Sequence, residues 1–501
     1  MSFAQHALPC SIALLFAAQA GALHAAAAGS AGAKACTPAV AKTQNGPAGS
    51  AAGFASCPED ERPQDLRVFT VALAALPFGP LANSTVQSDR WYGVIGNAGY
   101  RIEVPQNWNG KLVMYAHGYA GTGSLLGVSN PSIRRHLIEN GYAWAASSYS
   151  SNYYDVRTGV EDTNALALAF TRIAADNGRT LAKPARTYII GHSMGGHVTG
   201  AAIDLEAQKT AVNRMRYDGA VPMCGVLGDT ELFDYFVAYQ LAAQQLAGLP
   251  ATSFPETNWA AIAPTVRSAL FHTFTTVPTT QGMKLREIVK NLTGGERPIF
   301  TQGFANSGLQ AVVWGTFGGD GKINGILNEN VTDTNRFIYQ LDNDPSLNVE
   351  EMALNNALLD VTATVGANRL RRDGLRWIPK VNGKFNIPVV SLHTLGDMYV
   401  PFSMEQIFAR RAQANGSSEH LVQRAVRAPS HCDFTVAEQV AAFDAMAKWE
   451  QTGEKPEGDD VLTPSVVADS NYGCRYTVNS GGQDDSPTTV ATRGFMPVCT
   501  P

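Results

Sequence analysis

The chain has 501 residues, of which 45% are hydrophobic and 16% are charged, and its net charge is −5 at pH 7. This is enough apolar sequence for one large core with insertions or for several domains. The mild charge and the lack of a basic cluster argue against binding to nucleic acid, and no apolar run of 18 residues beyond the N-terminal region indicates a membrane span. We therefore expect a substrate that is neutral or weakly charged.

The N-terminal segment has the composition of an export signal. Residues 8–28 are apolar and rich in alanine, with small-residue cleavage sites such as Ala18-Gln19-Ala20. The first six residues contain no Lys or Arg, which departs from the usual signal and leaves an Ala-rich leader as the alternative. We expect residues 1–28 to be the signal peptide of a secreted or periplasmic bacterial protein, followed by a linker over 29–60.

The cysteine count fits an oxidising compartment, because an even number of cysteines lies beyond the signal. Proximity along the chain pairs the first two and the last two, which leaves Cys224 with Cys432. Two buried free thiols at those positions are the alternative. The candidates for disulfides are Cys36, Cys57, Cys224, Cys432, Cys474 and Cys499.

Strands and helices alternate over residues 61–225. Helical spacing predicts helices over 162–177 and 194–208. The first two predicted strands are neighbours joined by a turn at 107–110. Apolar runs bounded by turn residues predict strands over 99–104, 111–116, 142–147, 185–190 and 217–223.

A serine stands between two glycines directly after the strand at 185–190, in Gly191-His192-Ser193-Met194-Gly195. Glycines without a Cβ permit a tight turn from strand to helix, which would hold Ser193 in a strained conformation with its hydroxyl exposed. The backbone N–H of Met194, at the start of the helix, would point toward a developing oxyanion. The alternative is a glycine-rich turn with a chance serine.

Residues 226–384 show mostly helical periodicity. Four aromatic residues in this segment could line an acyl or aromatic pocket, or they could form the core of the segment itself. They are Phe300, Phe304, Trp314 and Phe317.

The alternation of strands and helices resumes over 385–450. Strands are predicted at 387–392 and 421–426, and helices at 403–414 and 435–450. Strands that alternate with helices predict a parallel sheet covered on both faces. The C-terminal extension, 451–501, has no assigned role.

Residues 90–225 and 385–450 resemble the α/β-hydrolase superfamily. The resemblance implies an eight-stranded, mostly parallel sheet flanked by helices, and the chain order nucleophile, acid, histidine. It also implies that 226–384, which follows the sixth strand, is a mainly helical cap.

The remaining two members of a hydrolytic triad have candidates in the expected order. Asp397 follows a buried strand, and His431 lies between the last strand and the last helix. His431 would act as general base toward Ser193, and Asp397 would hold the imidazole tautomer. Asp229, after the sixth strand, is the alternative acid.

Other polar residues near these positions have less specific interpretations. Asp433 is expected to cap the last helix near Thr435. Four further histidines are expected to be structural or to line a pocket: His192, His197, His393 and His420.

The loop after the third strand, His117-Gly118-Tyr119, resembles the His-Gly oxyanion loop of lipases and esterases. The resemblance implies that the backbone N–H groups of Tyr119 and Met194 are the two oxyanion donors. A glycine-rich loop without this role is the alternative.

These features together predict a serine hydrolase that cleaves carboxylic esters through an acyl-enzyme, with no cofactor and no metal. The substrate would be a small-molecule or oligomeric ester. Residues 108–110 and the His431-Cys432 pair are faintly similar to tannases and feruloyl esterases. Those enzymes carry a cysteine before the nucleophile where this chain has His192, so their substrates are not transferred.

Two other functions remain open from the sequence. A secreted aminopeptidase of the same fold would need acidic residues in the cap, and Glu350-Glu351 could supply them or could simply start a helix. A non-catalytic binding protein on a hydrolase scaffold is the second alternative. The sequence does not specify the acyl or alcohol group or the oligomeric state.

Overall fold

The computed structural model describes residues 66–499, together with the backbone of 41–43 and 46–49. The signal peptide expected over 1–28 and the expected Cys36–Cys57 pair lie outside the described residues, as does most of the linker. Within the described part, no helix has the length and apolarity needed to cross a membrane.

The β-strands of the described residues have the following bounds. They are β1 (Ala41–Thr43), β2 (Gly46–Gly49), β3 (Thr70–Val71), β4 (Ser88–Ile95), β5 (Ala98–Pro105), β6 (Lys111–Ala116), β7 (Leu125–Leu126), β8 (Ala143–Ser147), β9 (Arg186–His192), β10 (Asn213–Arg214), β11 (Gly219–Met223), β12 (Phe271–Thr273), β13 (Val277–Pro278), β14 (Val389–Thr394) and β15 (Leu421–Val426).

The α-helices of the described residues have the following bounds. They are α1 (Arg134–Glu139), α2 (Val156–Asp176), α3 (Met194–Ile203), α4 (Leu205–Thr210), α5 (Glu231–Leu246), α6 (Trp259–Leu270), α7 (Thr280–Leu292), α8 (Phe300–Phe304), α9 (Ser307–Trp314), α10 (Val349–Ala357), α11 (Ser403–Ala414), α12 (Val436–Thr452), α13 (Pro464–Val467) and α14 (Pro487–Arg493).

The central sheet has eight strands in the order β15-β14-β11-β9-β6-β8-β5-β4. The strands from β8 to β15 run parallel, whereas β5 is antiparallel to both β8 and β4. The expected eight-stranded, mostly parallel sheet is therefore present, and it is mixed. The first two expected strands, β5 and β6, are consecutive in the chain but do not pair, because β8 lies between them.

Both faces of the sheet are covered by helices, which is why its parallel strands are buried along most of their length. Successive side chains of β6 point to opposite faces. Leu112 and Met114 belong to the core that includes residues of α2 and α3, whereas Val113 and Tyr115 belong to the core that includes residues of α1 and α12.

Two helices differ from the sequence expectation. Helix α2 begins at Val156, ahead of the expected start at residue 162, because the Asp155 carboxylate accepts from the Thr158 N–H and caps it. The helix expected over 194–208 is two helices: the backbone of Asp204 is extended, and its side chain caps α4 by accepting from Glu206 N–H.

The segment 226–384 lies between β11 and β14, after the sixth strand of the sheet. It contains α5 to α10 and the hairpin of β12 with β13. Between residues 315 and 384, however, α10 is the one helix that the structure describes. The expectation of a mainly helical segment therefore holds for its first half, and turns and irregular chain make up most of the second.

The C-terminal extension packs against the last strand of the sheet. Val461, Val467 and Tyr472 form a small apolar cluster with Leu395 and Ala425. The extension is thus a covering layer over the edge of the sheet and over the loop that follows β14.

Candidate active site

The turn from β9 to α3 holds Ser193 in a strained conformation, with φ 58° and ψ −121°. A Cβ on Gly191 would lie 2.2 Å from the carbonyl oxygen of Gly195. A Cβ on Gly195 would lie 2.0 Å from the carbonyl oxygen of Ala116 on β6. Only glycine fits at either position, so the two glycines are what allows the turn to close.

We expect that Gly195→Ala lowers the free energy of unfolding by about 1–3 kcal/mol, because the new methyl group forces the turn away from β6. Urea denaturation followed by circular dichroism measures this. Gly127→Ala is the matched control, since a Cβ there meets nothing within 4 Å. Equal stability of the two variants would contradict the tight packing of the turn.

Three side chains from distant parts of the sequence meet at this turn. His431 Nε2 lies 2.8 Å from Ser193 Oγ, and His431 Nδ1 lies 2.5 Å from Asp397 Oδ2. The carboxylate can only accept, so Nδ1 carries the proton and Nε2 is free to accept from the serine hydroxyl. The Asp397 side chain is fully buried, and that of His431 is 16% exposed.

The Asp397 carboxylate is held from its other side by the backbone. Its Oδ1 accepts from the N–H groups of Tyr399 and Val400, both at 2.9 Å. Both carboxylate oxygens are thus in use, and the second one is aimed at His431.

The loop after β6 lies against the serine. A Cβ on Gly118 would be 3.3 Å from Ser193 Cβ and 3.8 Å from its Oγ. His117 stacks on Tyr149, with ring centroids 4.0 Å apart, and the Tyr149 hydroxyl donates to the carbonyl oxygen of His117 at 3.0 Å. Burial lowers the pKa of His117, so its ring is neutral at pH 7.

The two expected oxyanion donors belong to the segments just described. Met194 is the first residue of α3, and the backbone of Tyr119 follows Gly118 in the loop. Their role as donors stays a prediction.

A disulfide joins Cys224, just after β11, to Cys432, the residue after His431. It ties the histidine loop to the sheet. A second disulfide joins Cys474 to Cys499 in the C-terminal extension. Among the described residues, one cluster of potential ligands is compact enough to hold a metal ion, and it consists of Cys224, His431 and Cys432. The two sulfur atoms of this cluster are already bonded to each other in the disulfide.

We expect that Cys224→Ser combined with Cys432→Ser lowers the free energy of unfolding by about 2–4 kcal/mol. It should also reduce turnover, because the loop that carries His431 loses its covalent anchor. The matched control is Cys474→Ser with Cys499→Ser, which removes a disulfide remote in sequence from His431 and should leave turnover unchanged. Identical turnover in both double variants would refute the anchoring role.

The order of the strands and the position of the three side chains define the fold. The serine follows the fifth strand of the central sheet, the aspartate the seventh and the histidine the eighth, with a strained Gly-x-Ser-x-Gly turn at the serine. The fold is that of the α/β-hydrolases.

Comparison with known proteins gives limited similarity beyond the fold. No protein-family model matches the sequence. The chain is 30% identical over 103 residues to an o-phthalyl amidase of Xanthobacter agilis, a match that spans 20% of this chain and 23% of the amidase.

Solved α/β-hydrolase structures are similar over most of the chain at low identity. A feruloyl esterase B from Aspergillus oryzae is 15% identical, with a TM-score of 0.43, and the alignment covers 77% of this chain and 86% of that one. An acylaminoacyl peptidase from Pyrococcus horikoshii is 10% identical, with a TM-score of 0.36, covering 76% of this chain and 44% of that one.

Two aromatic residues that the sequence did not single out lie beside His431. The ring of Tyr399 packs edge-on against His431, with centroids 5.4 Å apart, and Phe236 of α5 stacks on Tyr399 at 5.7 Å. Tyr399 stands two residues after Asp397, which was the available signal. Phe236 had none, because its contact joins the segment 226–384 to the loop after β14.

The alternative acid, Asp229, is engaged elsewhere. Its carboxylate accepts from Arg411 at 2.6 Å and from the N–H groups of Thr230 and Val381. Burial alone would raise the pKa of Asp229, but the charge of Arg411 lowers it overall, so it is an anion in a buried ion pair. The structure brings Asp397, and not Asp229, to His431.

The other histidines have partners of their own. His192 contacts Gln439 at 3.0 Å, and burial lowers its pKa to about 4. His197 lies between the Tyr154 hydroxyl, at 2.9 Å, and the carbonyl oxygen of Pro379, at 2.7 Å. His420 precedes β15 and takes no part in the site.

The expectation that Asp433 caps the last helix is wrong. Thr435 is the N-cap of α12: its hydroxyl accepts from the Glu438 N–H, and the Glu438 carboxylate accepts from the Thr435 N–H. This reciprocal capping box satisfies the helix end without Asp433.

The four aromatic residues singled out in 226–384 are core residues of that segment. All are at least 94% buried, and they pack against one another and against aromatic neighbours in α5 and α6. The residues are Phe300, Phe304, Trp314 and Phe317.

The acidic pair Glu350-Glu351 has a structural role. Glu351 is fully buried, and its carboxylate accepts from the N–H groups of Leu341 and Asn348, which caps α10. Glu350 forms an ion pair with Lys284. The sequence feature that favoured an aminopeptidase is thereby accounted for by helix capping and by a surface ion pair.

Proposed function

We propose that this protein is a serine hydrolase that cleaves carboxylic esters. The observation that carries the proposal is the contact of His431 with Ser193 on one ring nitrogen and with Asp397 on the other. A hydroxyl hydrogen-bonded to an imidazole of fixed tautomer is the arrangement that activates a serine nucleophile.

In the first half of the reaction, Ser193 Oγ attacks the ester carbonyl carbon while His431 Nε2 takes its proton. The oxyanion of the tetrahedral intermediate accepts from the N–H groups of Met194 and Tyr119. The carbon–oxygen bond to the alcohol then breaks, and the His431 proton passes to the leaving oxygen. An alcohol departs, and the acyl group stays on Ser193.

In the second half, water attacks the acyl carbon and His431 takes a proton from it. The bond to Ser193 Oγ breaks, the serine regains its proton from His431, and a carboxylic acid leaves. Asp397 holds the imidazole orientation throughout and stabilises the imidazolium that forms in each half.

Amide hydrolysis is the second candidate, and the amidase similarity favours it. The same steps apply, with an amine instead of an alcohol as the leaving group. Glu350-Glu351 offers no support for an aminopeptidase, because both carboxylates are engaged in the structure.

Two further features complete the proposal. The two disulfides support a secreted or periplasmic protein, consistent with the export signal expected over 1–28. The contact of Phe236 with Tyr399 supports a cap role for 226–384, with α5 beside the reacting groups. The substrate would be a small-molecule or oligomeric ester.

A fluorophosphonate probe tests whether Ser193 is the nucleophile. A comparison of ester and amide substrates tests which bond the protein cleaves. We expect Ser193-dependent labelling, with Ser193→Ala unlabelled and Ser268→Ala, an exposed serine on α6, labelled like the wild type. p-Nitrophenyl esters of increasing chain length are then compared with aryl amides and amino-acid anilides. Amide or anilide turnover without ester turnover would reject the esterase, and the absence of Ser193-dependent labelling would favour a binding protein.

A further inference from the structure

His393, on β14, lies fully buried between two carboxylates that approach its ring from opposite sides. Its Nδ1 is 3.4 Å from Glu405 Oε1, and its Nε2 is 4.0 Å from Asp397 Oδ2. Ser193 and His431 do not contact it, so the mechanism above leaves this imidazole without a role.

Both ring nitrogens of His393 face acceptors. Nε2 lies 2.8 Å from the carbonyl oxygen of Val400, so it must carry a proton. Nδ1 and Glu405 Oε1 face each other, and neither has another hydrogen-bond partner among the described residues. A proton on Nδ1 satisfies both atoms, which makes the ring an imidazolium.

The second oxygen of Glu405 is already anchored. Glu405 Oε2 accepts from the Ser391 hydroxyl and from the Gln423 side-chain amide. These two donors leave Oε1 as the oxygen that faces His393 Nδ1. Glu405 therefore supplies the negative charge that keeps His393 protonated.

The balance of electrostatic effects agrees with this geometry. Burial alone would lower the pKa of His393, but the hydrogen bond and charge of Glu405, the charge of Asp397 and the carbonyl of Val400 raise it above the ordinary value of 6.5. The raised pKa of His393 favours the protonated ring, as the geometry does.

Other titratable groups face the same pair of carboxylates. The Arg297 guanidinium interacts with Asp397, and burial lowers its pKa to about 10, which leaves it a cation at pH 7. The phenols of Tyr235, near Asp397, and Tyr472, near Glu405, have pKa values raised by burial and stay neutral. None of these groups replaces the bridge that His393 makes.

His393 is linked to the proposed reaction through the backbone of a single residue, Val400. Val400 accepts from His393 through its carbonyl oxygen, and its N–H donates to Asp397 Oδ1. We infer that His393, as a buried imidazolium paired with Glu405, is a positioning residue that fixes the 397–400 loop and keeps the Asp397 carboxylate aimed at His431. This inference rests on the proposed hydrolase function.

Removing the imidazole leaves Asp397 and Glu405 as two carboxylates in one buried site, and one of them then takes up a proton more readily. We expect His393→Gln to lower kcat roughly 10- to 100-fold, as a misplaced catalytic group does, with KM nearly unchanged. The acid limb of the kcat profile should move to higher pH by about one unit or more. Adding Glu405→Gln removes the excess charge and should move that limb back.

His197→Gln is the matched control, because it also removes a buried imidazole with two hydrogen bonds but touches neither carboxylate. It should lower stability without moving the acid limb. If the acid limb shifted equally in both variants, or did not shift in His393→Gln, His393 would only fill space in the core. Either result would overturn the inference.

Protonation of His393 is measured independently of activity by nitrogen-15 NMR of the histidine rings. We expect His393 to give an imidazolium signal at pH 7.5 that is lost in Glu405→Gln. The stability that this proton contributes should be complete below pH 6.5 and should decline as the pH rises through the raised pKa of His393. A neutral ring at pH 7 would overturn the inference even if Ser193 is labelled, whereas absent labelling of the wild type would overturn the proposed function.

Discussion

Replacing Ser193 with alanine is expected to lower kcat for p-nitrophenyl esters roughly a millionfold. The remaining rate would come from substrate binding and the oxyanion donors alone. The hydroxyl 2.8 Å from His431 Nε2 is the atom that would form the acyl-enzyme, and alanine has no substitute for it. Initial rates at saturating substrate, with enzyme repurified to exclude contaminating esterase, measure the loss.

The fold of Ser193→Ala should remain intact, because the removed hydroxyl bonds, among the described residues, only to His431 and because Gly191 and Gly195 still form the turn. Thermal unfolding provides this check. Retention of more than about one percent of wild-type turnover in a folded Ser193→Ala variant would contradict the assignment of the nucleophile.

Replacing Asp397 with asparagine is expected to lower kcat roughly ten-thousandfold. Asparagine has nearly the same shape, but its amide can donate toward His431 Nδ1 and so favours the wrong imidazole tautomer. His431 Nε2 would then carry the proton and could not accept one from Ser193. The pH dependence of kcat/KM for the variant reports whether basic conditions recover part of the rate.

Asp229→Asn is the control for this prediction. Asp229 is paired with Arg411, so its replacement should cost stability and leave kcat within a few-fold of the wild type. A loss of kcat in Asp229→Asn as large as in Asp397→Asn would contradict the choice of acid.

The parts of the molecule that depend on local chemistry were predictable from the sequence. The strands at 111–116 and 421–426 and the helix at 403–414 have the expected bounds, because each is a periodic segment between turn residues. The turn at Ser193 was predictable as well, since Gly191 and Gly195 are the residues that its close contacts require.

Contacts between distant segments were not predictable in the same way. The sequence left Asp229 and Asp397 as alternatives, and the decision came from Arg411, which follows Asp229 by 182 positions. The insertion of β8 between β5 and β6 follows from the pairing of the whole sheet. His393 was expected to be structural or pocket-lining, because its pairing with Glu405 depends on the packing of α11 against β14.

Identification of the residue modified by a fluorophosphonate tests the central claim most directly. Tandem mass spectrometry of the labelled, digested protein should locate a single phosphonate adduct on Ser193, and His431→Ala should slow its formation by orders of magnitude. An adduct on another residue, or equally fast labelling of His431→Ala, would contradict the account.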